Sequence, residues 1–248
     1  MQPFLQTRAL GKRFGAVVAL DDVDFSANLG EVTALVGDNG AGKSTLIKVL
    51  AGAHPATTGD VWVEGEKVKF ASPIDAGNHG IATIYQELAL ADNLSVYENV
   101  FLGRELTRRV AGIPFLDRRA MRKRVEQVLT DLDAHLPSIT TQVANLSGGQ
   151  RQAVAISRAL NLEAKLLIMD EPTAALAVAE TRKVLNLILQ LRDAGRAVIL
   201  ISHNIGDVFE VADRIVILRR GRKVAERVKA ETNPTEIVGL ITGAISDV

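Results

Sequence analysis

Cysteine is absent from the 248-residue sequence, which excludes disulfides and any cysteine-ligated metal and fits a reducing compartment. Charge of one sign is not in excess either. The 29 Lys and Arg face 29 Asp and Glu, so no global basic field favours nucleic acid, and none is expected as a partner. No run of 18 apolar residues occurs, and Met1 to Leu10 lack the apolar core of a secretion signal. The chain is therefore expected to stay in water; if it works at a membrane, another polypeptide must span it. Internal repeats and low-complexity linkers are also missing. A chain of this length buries about three quarters of its unfolded surface, so a single domain over residues 1–248, with a subdomain, is expected without a covalent staple.

What the sequence does contain is a phosphate loop. Gly37-Asp38-Asn39-Gly40-Ala41-Gly42-Lys43-Ser44 fits G-x-x-x-x-G-K-[ST] in full, between a β-rich run, Glu31 to Val36, and helical apolar spacing from Ser44 and Thr45 to Leu50. Gly37, Gly40 and Gly42 let backbone N–H groups wrap a phosphate chain. Lys43 is expected to reach the β and γ phosphates, Ser44 to ligate Mg²⁺, and the helix N-terminus to face the anion. Downstream, the apolar run Leu166 to Met169 ends in Asp170-Glu171, where a carboxylate must stand to face the loop across parallel strands. Asp170 is expected to hold Mg²⁺ through water, and Glu171 to act as general base on the attacking water.

The rest of the chain alternates. Gly15 to Leu20, Ser26 to Ala27 leading into the loop's strand, and Ile81 to Gln86 read as strands. Asp60 to Val63 and Lys67 to Phe70 read as a hairpin around Glu64-Gly65-Glu66. From about Glu87 to Asn145 the character is helical, with Met121, Val125, Val128, Leu129 and Leu132 sharing one face. After Ser147, Lys165 to Asp170 and Ala197 to Ser202 read as parallel strands covered on both faces, flanking a helix from Val178 to Ala194 that Gly195 stops. Ile215 to Leu218 and Lys223 to Val228 suggest a final hairpin. The basic cluster Arg118-Arg119 with Arg122-Lys123-Arg124 is read as a solvated helix face rather than a site for nucleic acid or lipid headgroups, and Arg219, Arg220 and Arg222 as a hairpin turn.

The phosphate loop, Gln86 at a strand end, Leu146-Ser147-Gly148-Gly149-Gln150, the Asp170-Glu171 strand end and His203 after a buried strand occur in one order and spacing. In these motifs, over nearly its whole length, the chain resembles the nucleotide-binding subunits of ATP-binding cassette (ABC) transporters. The resemblance implies an α/β fold: a P-loop NTPase core with a mostly parallel sheet, an antiparallel β subdomain, and a helical subdomain inserted at about residues 87–160. It implies ATP and Mg²⁺ as ligands, and a homodimer in which Ser147, Gly148, Gly149 and Gln150 of one copy cap the γ-phosphate held by the other copy's loop. Gln86 is similar to the residue that touches Mg²⁺ and water while linking to the membrane partner. His203 is similar to the one that contacts the γ-phosphate and positions Glu171, and Phe14 to an aromatic that stacks on adenine.

One departure stands out. Where many of these subunits carry a Ser-Ala-Leu-Asp run that bridges the dimer, this chain has Ala174-Ala175-Leu176-Ala177, and Ala177 cannot make that contact. The Asp38 to Ala41 loop interior, Ser72 to Ala76 and Asn99 to Glu105 resemble the ribose, xylose and fructose importer branch. This implies a peripheral ATPase at the cytoplasmic face of the inner membrane. Its partners would be multispanning permease subunits and, indirectly, an extracytoplasmic sugar-binding protein. A non-transport or export ATPase is the alternative.

Overall fold

Two long strands open the chain, β1 (Leu5–Phe14) and β2 (Val17–Ala27), antiparallel across a turn at Gly15 and Ala16. The strand expected to start at Gly15 begins at Val17, because Gly15 sits in the turn with φ 57°. Ser26 and Ala27 end this same strand instead of leading into the next; Gly30, at φ 71°, reverses the chain before β3 (Val32–Val36). All of β3 is buried, and the phosphate loop connects it to α1 (Lys43–Leu50). β4 (Thr58–Val63) and β5 (Glu66–Val68) form the expected hairpin. Glu64 and Gly65 both have positive φ, the twist a tight antiparallel turn requires. β5 stops at Val68, short of the expected Phe70. Next come α2 (Pro73–Asn78), which Ser72 caps, and β6 (Ile81–Ile84).

Between β6 and the next core strand lie α3 (Val96–Phe101), a hairpin of β7 (Thr107–Val110) and β8 (Ile113–Leu116), α4 (Arg118–Asp131) and α5 (Gly148–Asn161). The hairpin was not legible in a stretch read as helical. The core then resumes with β9 (Leu166–Asp170), α6 (Val178–Asp193), β10 (Ala197–Ile201), α7 (Ile205–Val211), β11 (Arg214–Arg219), β12 (Arg222–Val228) and α8 (Pro234–Thr242). The structure describes residues 2–110, 113–174 and 176–245, so Ala175 of the Ala174 to Ala177 departure lies outside the described residues.

The strands form a six-stranded sheet, order β12-β11-β3-β10-β9-β6, parallel except at β12, and a four-stranded antiparallel sheet, order β2-β1-β4-β5. β3, β9 and β10 are covered on both faces, which is why they read as continuous apolar runs. The apolar stripe of α4 is split between two cores. Met121, Val125 and Leu129 pack with Tyr97, Val100 and Val154 in a helical core, while Val128 and Leu132 join the core beneath the large sheet.

Arg214 ties β2, β3, β11 and β12 together. Its side chain is 12% exposed and donates to Glu31 Oε1 (2.7 Å), Glu226 Oε1 (2.6 Å), the Ser26 carbonyl (2.8 Å) and Thr33 Oγ1 (3.1 Å). Burial alone would raise the Glu226 pKa, but hydrogen bonds and charge from Arg214 and Lys223 outweigh it and hold the carboxyl below its ordinary 4.5. Replacing Arg214 with Met leaves Glu226 to Lys223 and Glu31 to Asn28 and Thr33, and is expected to cost about 1–2 kcal/mol in urea unfolding, below the loss for a fully buried pair. Because the folded pKa of Glu226 is depressed, its stabilising contribution is complete above pH 4.5 and fades as pH falls through the folded value. The stability gap between the wild type and Glu226→Gln, measured from pH 7 downward, should therefore narrow only in that acid limb.

Candidate functional site

Parallel register brings the chemistry together. Leu35 pairs with Ile201 and Ile201 with Asp170, while Met169 pairs with Ile84. The segments leaving β3, β10, β9 and β6 therefore emerge side by side along one rim, the position where open α/β sheets bind ligands. These segments are the phosphate loop, Ser202-His203, Glu171 and Tyr85-Gln86.

The loop is built by the turn into α1. Gly42 is the helix N-cap at φ 105°, and the Lys43 ammonium donates to the carbonyls of Gly37 (2.6 Å) and Asp38 (3.1 Å). Burial lowers the Lys43 pKa, and the charges of Glu171, Asp38 and Asp170 oppose that shift. From behind, Gly221 N–H donates to Ala41 C=O (2.9 Å) and Asp21 N–H to Gly221 C=O (2.8 Å). Gly221 has φ 80°, and a Cβ there would stand 2.8 Å from the Ala19 carbonyl, so only glycine allows this turn to back the loop. The turn expected at Arg219 to Arg222 is thus also a brace.

A cleft of about 430 Å³ is lined by Asp38, Asn39, Gly40, Ala41, Gly42, Lys43, Ser44 and Thr45 together with Asp170, Glu171 and His203; Gly37 stands outside the lining. Burial, then the neighbouring Glu171 charge, raise the Asp170 pKa, with Lys43 and His203 opposing. Glu171 is held in the left-handed region at φ 51°, as Glu64 is in its hairpin turn, and its N–H donates to the Ile201 carbonyl (2.9 Å). This bend sets Glu171 Oε1 2.6 Å from His203 Nε2. Behind the pair, Asp207 is buried and accepts from Thr173 Oγ1 (2.7 Å) and Asn204 Nδ2 (2.9 Å), while Asn204 N–H donates to Ser202 Oγ (3.0 Å). The turn after β9 and the loop carrying His203 are locked to one another.

Other expected residues lie apart from this lining. Ser147 caps α5, accepting from Gln150 N–H (3.4 Å) while Gln150 Oε1 accepts from Ser147 N–H (3.0 Å). Helix geometry leaves the Gly148 and Gly149 N–H groups without intrahelical acceptors, and neither glycine lines the cleft at the 37–44 loop. A Cβ on Gly148 would stand 2.4 Å from Leu176 Cδ2, so this glycine also allows the cap to pack against the segment after β9. Gln86 is exposed just past β6, one residue beyond Tyr85. Phe14 is 45% exposed, with its ring edge-on to His54 at 5.5 Å and Lys12 Nζ 5.0 Å from its centroid.

Several contributors were not read from the sequence. Val17, Val18 and Ala19 line the cleft from the start of β2, next to Phe14, which pairs with Val17. Exposed valines at a strand start were the available signal. Partial burial and the Asp170 charge hold the Tyr85 phenol above its ordinary value of 10, which puts it within electrostatic reach of the carboxylate. Nothing local to Thr173, Asn204 or Asp207 announces their network.

For a divalent cation, the donors at the rim are the Ser44 hydroxyl and the Asp170 carboxylate; among the described residues no group of three or more His, Asp or Glu forms a cage. Such a set fits Mg²⁺, a hard ion that takes one or two protein oxygens and completes its shell from phosphate and water. Asp207→Ala should leave ATP KM within about twofold and lower kcat by roughly ten- to hundredfold, because it loosens the Glu171–His203 geometry without touching the phosphate loop. Steady-state phosphate release with matched circular dichroism checks this.

Comparison with known proteins agrees with this architecture. The sequence profile of the family described as ABC transporter matches residues 20–174. The chain is 50% identical over 242 residues to a xylose/arabinose import ATP-binding protein of Sulfolobus acidocaldarius, covering 98% of this chain and 95% of that one. It is 47% identical over 247 residues to a fructose import ATP-binding protein of Rhizobium meliloti, with coverage of 98% and 95%. Among solved structures, a dimeric ATP-binding cassette bound to ADP and phosphate superposes with a TM-score of 0.74 at 25% identity, covering 91% of this chain and 98% of that one.

Proposed function

The chain belongs to the ABC transporter family, and from that premise we propose that it hydrolyses ATP to energise uptake of a monosaccharide through separate membrane subunits. The observation that carries the catalytic part is the split between two anion cradles, one at residues 37–44 beside Asp170, Glu171 and His203, the other at Ser147, Gly148 and Gly149 outside that cleft. Two copies facing one another supply both halves.

In this reading the loop N–H groups and Lys43 hold the β and γ phosphates. Ser44, Asp170 and, from the end of β6, Gln86 would hold Mg²⁺, which when bound would supply neutralisation of the phosphate charge. Glu171 takes the proton of the attacking water as its oxygen bonds to the γ-phosphorus and the β–γ bridging bond breaks. His203 orients Glu171, the partner copy's Ser147 cap covers the γ-phosphate, and Phe14 with Val17 and Val18 receives the adenine ring. Opening of the dimer after hydrolysis is then the mechanical output.

Among the described residues no helix is long and apolar enough to cross a membrane, so the permease is a separate polypeptide in this proposal. Its docking site is a cleft of about 390 Å³ lined by Ile74, Tyr85, Leu88, Leu102, Arg104 and Arg158. Tyr85 and the adjacent Gln86 connect that cleft to the carboxylate rim. The assembly lies at the cytoplasmic face of the inner membrane, fed by an extracytoplasmic sugar-binding protein.

A complementation experiment tests the composite site. Lys43→Ala and Ser147→Glu copies should each lose about a hundredfold or more in turnover alone. Mixing them should restore activity, since each mixed dimer holds one intact loop opposite one intact cap. A mixture as inactive as its parents argues for a site completed within one copy. Glu171→Gln should bind ATP and persist as a dimer on gel filtration while turnover falls by about a hundredfold.

A further inference from the structure

Residues 104–124 contain eight Arg or Lys and two acids in a chain whose formal net charge is zero. The sequence reading took part of this cluster as an ordinary wet helix face. The structure adds the β7–β8 hairpin at its edge. Arg108 stands opposite Phe115 across the ladder, and Ile113, Phe115, Leu116 and Leu106 are 58%, 51%, 50% and 40% exposed. Alternation puts Phe115 and Ile113 on the same face as Arg108, and Leu116 on the other, where it lines a cleft with Met121. The hairpin is joined to the basic helix: Asp117 N–H donates to the Leu106 carbonyl (2.8 Å), and the Asp117 side chain caps α4 through Ala120 N–H (3.0 Å).

Among the described residues neither Arg108 nor Arg119 lies within ion-pair distance of a carboxylate, whereas the charge of Arg118 acts on Glu98 and Arg122 stacks over Tyr97 at 4.9 Å. Exposed aliphatic and aromatic side chains rimmed by unpaired guanidinium groups match an anionic lipid surface, whose headgroups take the charge while its acyl boundary takes the apolar tip. Position agrees, because Leu102 and Arg104, just before the hairpin, line the cleft assigned above to the permease. In this one respect, which side faces the bilayer, the inference rests on that reading.

We propose that the β7–β8 hairpin and the start of α4 form a membrane-contact element. Ile113 and Phe115 seat at the acyl boundary, Arg108 on the same face binds the phosphates of anionic lipids, and Arg119 at the start of α4 supplies a second guanidinium. The element gives the ATPase its own hold on the bilayer in addition to its hold on the permease.

The test is flotation of the full chain with vesicles of phosphatidylcholine alone or with about 30% phosphatidylglycerol, at low and high salt. The wild type should float with the anionic vesicles only and be released by high salt. Ile113→Asp with Phe115→Asp, and separately Arg108→Glu with Arg119→Glu, should each lower partition about tenfold or more while ATP turnover in solution stays at the wild-type level. Two results would overturn the inference: a wild type that ignores anionic vesicles, or hairpin variants that keep lipid binding and lose only capture by the detergent-solubilised permease, which would make a protein the occupant. Since the flotation step contains neither permease nor sugar, its failure leaves the transport reading intact. Conversely, lipid binding by a chain without ATP turnover would sink that reading and leave this one.

Discussion

Hydrogen-bond register between parallel strands is the constraint on which the rest depends. Because Leu35, Ile201 and Asp170 sit at one level across β3, β10 and β9, three segments far apart in sequence leave the sheet at the same edge. Register brings the phosphate loop, His203 and Glu171 to one rim, and the bend at Glu171 with the Asp207 network then orients them. A slip of one residue in β9 would turn Asp170 to the opposite face and remove it from the rim. The double cover of these strands makes such a slip costly, since every side chain in β3 and β10 is already buried.

The charges at the rim are mutually dependent. Burial works against the ionised forms of both Lys43 and Asp170, while each supports the other's charge and Glu171 supports that of Lys43 alone. Geometry therefore has to be exact where electrostatics is finely balanced, and the structure invests in it: a left-handed Glu171, His203 Nε2 set 2.6 Å from its carboxylate, and the buried Asp207 network behind them. Part of that rigidity comes from Thr173, Asn204 and Asp207, which bond to one another behind the pair.

What could be read in the sequence follows from how local each signal is. The phosphate loop, the Ser147 cap and the apolar runs of β9 and β10 are written in adjacent residues, and their flanks agreed with them. The β7–β8 hairpin was illegible because Arg108, Arg109, Ile113 and Phe115 alternate too briefly to separate from a charged helix. α2, α7 and α8 went unread for a similar reason: each spans only a turn or two, and the caps at Ser72, Asn204 and Asn233 are their main marks. Contacts such as Thr173 with Asp207, or Val18 with the loop, are products of tertiary packing and leave no pattern in the chain.

The brace at Gly221 makes the loop of residues 37–44 a long-range structure. The group that closes on Ala41 comes from the β11–β12 turn, far along the chain, and that turn is tied in its own right to Asp21 of β2. The cradle therefore takes its full backbone support only when β2 and the β11–β12 hairpin are both docked, a closure between distant segments rather than a local event. Loosening that hairpin would be felt at the loop without any change in the loop's own residues.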